Sequence, residues 1–435
     1  MIPALVGILV ASAVCGRLAR MVGQPRVLGE MVAGVLLGPT LLGAVAPGLQ
    51  TRLFPQEVKP VLYVLSTLGL TLYMFLVGVG LDHGSQAGGE RGEGRKALIL
   101  AVSGIAPSLL LGFGVGFLWY QSLSGPGVSR LEFAFFVGGA LSITAFPMLA
   151  RILYERRLEN SRLGRLSLVG ASIDDAVAWC LLAVLVVAHS GNNWWHAVRT
   201  IVLAAVFAAV MLLVVSRVLR PLGERVARTG QFGPGDMYMV CVTVLAAGWF
   251  TDYIGVYSVF GGFIAGLAMP RDPAFREALH ARTMEFVCVF LLPVFFALSG
   301  LNTKLNGVSD LTLVAAFLSL LLAGFVGKYF GCGLAMRGMG FPWRESLAVG
   351  GLMNARGLMI LIFINIGLAQ HMISQDVFSL LVLVAVVTTA GALPLYRWAL
   401  PERVEAALGR PVSMSSPLGS PSQEPETVAG RGGAG

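Results

Sequence analysis

Charge is what this 435-residue chain has least of: Asp, Glu, Lys and Arg together make up 12% of it, whereas hydrophobic residues make up 56% and the mean hydropathy is +0.78. A soluble domain of this length needs far more polar surface, so that class is excluded. Lysine is rarer still, at four residues, the remaining basic residues being arginine. Cys15, Cys180, Cys241, Cys288 and Cys332 lie singly on apolar runs with no metal-ligand spacing, and read as buried small hydrophobes. His83, His189, His196, His280 and His371 sit in or near connections and form no cluster. There is no Gly-x-Gly-x-x-Gly strand–helix unit, so no nucleotide-binding regulatory domain and no cofactor are expected.

What is there is a series of apolar runs, most of them about 17 to 25 residues long, the length of helix that crosses ~30 Å of hydrocarbon. Thirteen are read, at about 2–18, 27–45, 61–81, 97–120, 133–153, 166–188, 197–218, 237–250, 253–269, 284–301, 311–336, 346–369 and 377–398. The predicted fold class is an all-α polytopic membrane protein over 1–400, with the lipid bilayer as its surroundings. The first run lacks a basic leader and its arginines follow it, so it reads as a helix, not a signal peptide. After Leu400 a Pro/Ser/Gly-rich stretch predicts a disordered cytoplasmic tail, 401–435. Trp119, Trp194, Trp195, Trp249 and Trp398 fit interfacial belts.

Charge placement tests that map. With the N-terminus outside and the C-terminus cytoplasmic, 24 basic residues fall on the cytoplasmic side and five outside, leaving two of the 31. That asymmetry follows the positive-inside rule, and the net charge of +8 needs no nucleic-acid partner. The two left over, Lys328 and Arg356, lie inside apolar runs. So do the adjacent acids Asp174 and Asp175, in LSLVGASIDDAVAWCLLAVLVVA, and Glu30. A charge at bilayer depth costs roughly 2.5 to 3.5 kcal/mol even on a lenient scale. A structural salt bridge explains one acid with one base, but two neighbouring acids exceed it. Neighbours on a helix point ~100° apart, so one acid can pair with Lys328 while the other faces a cavity.

Two runs carry helix breakers at mid-depth. Ser142, Thr144 and Pro147 interrupt the fifth, and Gly350, Gly351, Asn354, Arg356 and Gly357 the twelfth. If the run at 197–218 is a linker, six helices flank it on each side, about 1–190 and 237–398, and each interrupted run is fifth in its half. Interrupted spans in corresponding places of two halves point to a transporter's ion site.

The segments LGEMVAGVLLGPTLLG, SITAFPMLARIL, ASIDDAVAWCLLAV, VFGGFIAGLAMP, LLPVFFALSGLNT and MNARGLMILIFINIGL resemble, in order and spacing, the signatures of the cation/proton antiporter-2 family of sodium or potassium/proton exchangers. The resemblance covers about residues 1–400. It implies thirteen helices in two inverted six-helix repeats, crossed broken helices, a moving core, a dimerisation domain and a homodimer. It also implies that Asp175 is the principal cation and proton site, with Asp174 as a second acid paired to Lys328 when the ion is absent. Thr144 becomes a ligand or shaping residue, with Ser142 and Asn354 in support; Arg356 offsets helix dipoles at the crossing, and Glu30 matches a recurrent acid of less defined role. Where many members carry a glutamate, this chain has Ile360. The function so implied is secondary exchange of a monovalent cation, Na⁺ or else K⁺, for protons by elevator-type alternating access in a bacterial inner membrane. A cation channel and a proton- or sodium-coupled solute symporter remain alternatives at this stage. A membrane aspartyl protease is disfavoured, because adjacent acids on one helix point apart.

Overall fold

The computed structural model describes residues 1–39, 41–80, 93–125, 127–155, 158, 161–189, 194–303 and 311–400. The expected tail at 401–435, and the connections that hold His83, Arg91 and Lys304, lie outside the described residues. Among the described residues there are helices and no strand. In chain order they are α1 (Ile2–Met21), α2 (Arg26–Leu37), α3 (Leu42–Val45), α4 (Pro47–Leu53), α5 (Lys59–Gly80), α6 (Glu93–Leu123), α7 (Arg130–Ser142), α8 (Phe146–Glu155), α9 (Arg162–His189), α10 (Trp194–Val210), α11 (Ser216–Thr229), α12 (Pro234–Tyr253), α13 (Ser258–Leu267), α14 (Pro273–Phe286), α15 (Leu292–Leu301), α16 (Leu311–Gly338), α17 (Trp343–Leu352), α18 (Gly357–Ala369) and α19 (Gln375–Ala399).

Nine helices among the described residues are long and apolar enough to cross a membrane. The expected fifth, eighth, ninth and twelfth runs correspond to α7 with α8, α12, α13 and α17 with α18. Apolar side chains such as Val202, Val206, Val210, Leu213 and Val214 face outward, as hydrocarbon surroundings permit. Trp249 and Trp398 are exposed, while Trp119 is partly buried and donates its indole N–H to Ser319 Oγ at 3.0 Å.

Several boundaries differ from the sequence reading, and three of them trace to a cap. The seventh helix runs past its apolar stretch, through a π-helical turn at Met211–Val215, as far as Thr229, where Gly230 ends it in a left-handed cap at φ 63°. The tenth begins at Pro273, because Asp272 caps it by accepting from the Ala274 and Phe275 N–H groups at 3.0 and 3.2 Å. The ninth shrinks to ten residues, since Asp252 accepts the Ser258 N–H at 2.6 Å and so starts α13 late.

The helices pack as two bundles. α1, α2, α5, α12, α13 and α15 form one, and α6 to α9 with α16 to α19 the other. Close backbone approach holds each together. A Cβ on Gly266 of α13 would lie 2.1 Å from the Phe75 carbonyl oxygen, and one on Gly331 of α16 the same distance from that of Ser103. Between bundles, α2 packs on α19. Asn365 donates to Ser299 Oγ at 2.8 Å, Gln370 to the Tyr257 hydroxyl at 2.9 Å, and Gln375 to the Asn302 carbonyl.

Both mid-depth interruptions are real breaks, at 143–145 and 353–356. Pro147, second residue of α8, has no N–H to continue the ladder from Ile143 and disfavours helical backbone before it. At the other break Gly357 takes φ +46°, and a Cβ there would press on Met148 Cβ at 3.2 Å. Gly357→Ala is therefore expected to cost about 1–2 kcal/mol, seen as a lower melting temperature of the detergent-purified protein. Gly391→Ala on α19, where a Cβ meets open space, serves as the neutral control.

Candidate ion-binding site

Breaking α7 after Ser142 leaves its last carbonyls without intrahelical partners, in a region with no water to receive them. Two buried cations take them up. Arg356, in the second break, donates through Nη1 to the Leu141 carbonyl and, at 3.4 Å, to that of Ala140, and through Nη2 to the Gly324 carbonyl of α16 at 2.6 Å. Lys328, one turn further along α16, donates through Nζ to the Ser142 carbonyl and to Asp174 Oδ2 at 2.5 Å. Both are 0% exposed. Their charge sits at the negative end of the α7 dipole, where it is most favourable.

The two breaks are tied across each other. The Ala145 N–H donates to the Ala355 carbonyl at 2.9 Å, and Thr144 Oγ1 to that of Met353 at 3.1 Å. Gly357 N–H donates to Thr389 Oγ1 at 3.1 Å. Asn354 donates through Nδ2 to the Gly350 carbonyl at 3.0 Å, which leaves its buried Oδ1 without a partner. The Ser142 hydroxyl returns to its own helix, at Gly139 O, 2.8 Å away.

Asp174 and Asp175 are each 1% exposed, yet their surroundings differ. Asp174 is ion-paired with Lys328, with Thr144 and Arg356 also close enough to act on it. Asp175 faces the backbone N–H of Phe146, at the positive end of α8, but neither of its oxygens has a hydrogen bond of ordinary geometry. The structure thus brings Asp174, Asp175, Lys328, Arg356, Thr144, Ser142 and Asn354 together. Glu30 is elsewhere, on α2, paired with Arg26 at 2.8 Å in the other bundle. Ile360 is fully buried in α18. A cavity of about 700 Å³ lies between the bundles, lined by Ser66, Thr71, Asp252, Tyr257 and Asn365 among others, and neither acid lines it.

Sequence reasoning passed over two participants. The Gly324 carbonyl and the Thr389 hydroxyl carry no signature of their own.

Comparison with known proteins matches residues 8–396 to the family model described as sodium/hydrogen exchanger, transmembrane. The chain belongs to the sodium/hydrogen exchanger family. It is therefore a secondary transporter and not an enzyme. The Na⁺/H⁺ antiporter NhaS4 of Synechocystis sp. is 36% identical over 87% of this chain and 93% of its own length. The K⁺/H⁺ antiporter 1 of Saccharomyces cerevisiae is 30% identical over 91% of this chain, which spans 46% of the yeast protein. Cation/H⁺ antiporter 19 of Arabidopsis thaliana is 37% identical, with 86% of this chain and 46% of the relative covered. Among solved structures, the sodium proton antiporter MjNhaP1 of Methanocaldococcus jannaschii shares the fold at a TM-score of 0.62 and 13% identity, covering 93% of this chain and 97% of that one.

Removing one member of a buried ion pair costs about 3–5 kcal/mol, whereas replacing both by apolar groups is far milder. For this exchanger-family chain, Lys328→Met is expected to lower the melting temperature in detergent sharply. The double variant Lys328→Met, Asp174→Leu should melt above Lys328→Met alone.

Proposed function

We propose that the chain exchanges a monovalent cation, Na⁺ in the first instance and K⁺ as the alternative, for protons, and that the two compete for Asp175. The observation that carries this is the unequal state of the two acids. Asp174 is neutralised by Lys328 at 2.5 Å, while both oxygens of Asp175 are buried without a hydrogen-bond partner. A carboxylate so placed is stable when it holds a proton or a cation, and costly when it holds neither. Oxygen donors suit a small hard cation. At the two breaks, Thr144 has lone pairs left after donating to Met353, and Asn354 has a buried Oδ1 without a partner.

Coupling follows from the charge count. Asp174 with Lys328 sums to zero, and Arg356 is offset by the α7 carbonyl end. Occupation of Asp175 by either H⁺ or a cation leaves the site near neutrality, so the carrier can move loaded. An empty, ionised site adds a net negative charge at bilayer depth and resists movement. Exchange of one ion for the other is then the low-barrier cycle, by alternating access of an elevator type in which the α6–α9 and α16–α19 bundle shifts against the other. The cavity between the bundles, which neither acid lines, leaves room for such a shift and supports this reading. The same reading keeps inverted repeats at about 1–190 and 237–398, a homodimer through the other bundle, and a bacterial inner membrane with the N-terminus outside. The position of the two breaks supports the repeats, and the excess of basic residues on one side supports the orientation.

Proton-loaded proteoliposomes, given Na⁺ or K⁺ with no organic solute present, are expected to release protons. Asp175→Ala should reduce that release to the level of protein-free vesicles. Full exchange by Asp175→Ala overturns the site; release only with an added solute indicates symport, and cation flux without a proton counter-gradient a channel.

A further inference from the structure

Val198–Thr229 is a continuous helix of 32 residues, in which α10 runs through the π-helical turn into α11. At 1.5 Å per residue it is about 48 Å long, whereas the hydrocarbon is ~30 Å deep, so about twelve residues, nearly the whole of α11, project beyond the acyl chains. The inner side of that projection is already used: Leu219, Gly223 and Val226 are buried, and α11 packs on α14. The outward side changes chemistry along its length. Val206, Val210, Leu213 and Val214 are exposed where acyl chains lie, and from one turn further the exposed residues include Arg217, Arg220, Glu224, Arg225 and Arg228.

Four arginines against Glu224 and the buried Asp236 leave this face a net charge of +2. Arg225 is paired with Asp236, and Glu224 is shared by Arg220 at 3.0 Å and Arg228 at 4.0 Å. Arg217 donates through Nη1 to the Leu213 carbonyl of its own helix. A guanidinium has five N–H donors, so Arg217 and Arg220 have donors to spare, and the Arg220 side chain is 78% exposed. α14 alongside is balanced, with Arg276 and Arg282 against Glu277 and Glu285, so the excess belongs to α11. Membrane sidedness is met by arginines anywhere in a connection; here they stand on the lipid-facing side of a helix, at headgroup depth.

We propose that the outward face of α10 and α11 binds an anionic phospholipid of the leaflet on this side, the cytoplasmic one on the orientation proposed above. The phosphate sits on Arg217 and Arg220, and the acyl chains lie along Leu213, Val210 and Val206. Val206 is eleven residues from Arg217, about 16 Å along the axis, which matches the hydrocarbon depth of one leaflet. Arginine suits a phosphate because its planar fork donates two parallel hydrogen bonds. Arg225 and Arg228, further out, repel a cationic amine and so select an anionic over a zwitterionic headgroup. The lipid fixes the depth of a helix whose basic end otherwise stands free of the bilayer.

The test titrates the detergent-purified protein with phosphatidylglycerol, or with phosphatidylcholine of the same chains, and reads the melting temperature. Phosphatidylglycerol is expected to raise that of the parent by about 2–4 °C and phosphatidylcholine by less than about 1 °C. In the double variant Arg217→Gln, Arg220→Gln the half-saturating phosphatidylglycerol concentration should rise about 30-fold. Arg17→Gln with Arg20→Gln, at the end of α1, removes the same charge elsewhere and should titrate as the parent does. If the α11 double variant does not elute as the parent does, the two single variants replace it, each expected to shift the midpoint about fivefold. An unchanged midpoint in the α11 variants, or an equal loss in both double variants, overturns the proposal. So does an equal rise with sn-glycerol 1-phosphate, which has the headgroup phosphate without chains and would mark a soluble anion as the ligand. Binding is read without ion exchange, so the result stands apart from the assignment of Asp175.

Discussion

A helix that stops inside hydrocarbon leaves carbonyl oxygens that no water can reach, and the arrangement around the α7 end follows from how those oxygens are satisfied. Here the partners are a lysine and an arginine from two other elements, α16 and the second break. Two positive charges so deep require negative charge nearby. The α7 dipole supplies part of it and Asp174 the rest. Once Asp174 is engaged, Asp175 has no cation left to pair with among the charged groups at the crossing. The chemistry assigned to Asp175 is a by-product of capping a broken helix.

The same constraint explains why the second break must sit where it does. Arg356 reaches the α7 carbonyls because the backbone around it is unwound, and it is unwound because Gly357 adopts a left-handed conformation against Met148 and Ala145. Thr144 and Ala145 then bond to carbonyls freed in the opposite break. Each interruption supplies donors for acceptors exposed by the other. A fold held this way tolerates wide drift in its apolar surfaces, consistent with its persistence at 13% identity to MjNhaP1.

Much of this was legible from residue types. Pro147 and the Gly350–Gly357 cluster marked both breaks, and the count of basic residues isolated Lys328 and Arg356 before any geometry was known. The ~100° between neighbouring helix residues kept the two acids from sharing one partner: Asp174 pairs with Lys328, whereas Asp175 is buried and does not line the cavity between the bundles. What stayed hidden depends on backbone atoms and distant side chains. The Gly324 carbonyl under Arg356 and the Thr389 hydroxyl under Gly357 have no sequence mark, because any residue has a carbonyl and many helices have a threonine. Glu30 lies apart from the crossing: hydropathy singles it out as an acid inside an apolar run, but it cannot show that Arg26 pairs with it one turn earlier on the same helix. Helix ends were missed where a cap overrode hydropathy, as at Asp272 and Asp252.

The links from α18 and α19 to the opposite bundle, Asn365 to Ser299, Gln370 to Tyr257 and Gln375 to Asn302, join amides, hydroxyls and a carbonyl. Each can be exchanged for water at a net cost of about 0.5–1.5 kcal/mol, with no ion to desolvate or re-pair. Those three links are indifferent to acidity and to salt, but Arg397 of α19, whose Nη2 donates to the Gly23 carbonyl of the other bundle at 3.4 Å, and Asp252, which lines the cavity beside them, put ionisable groups at the same seam. Acidity and salt can therefore act on the seam through those two side chains, while the amide links slip equally well at either extreme.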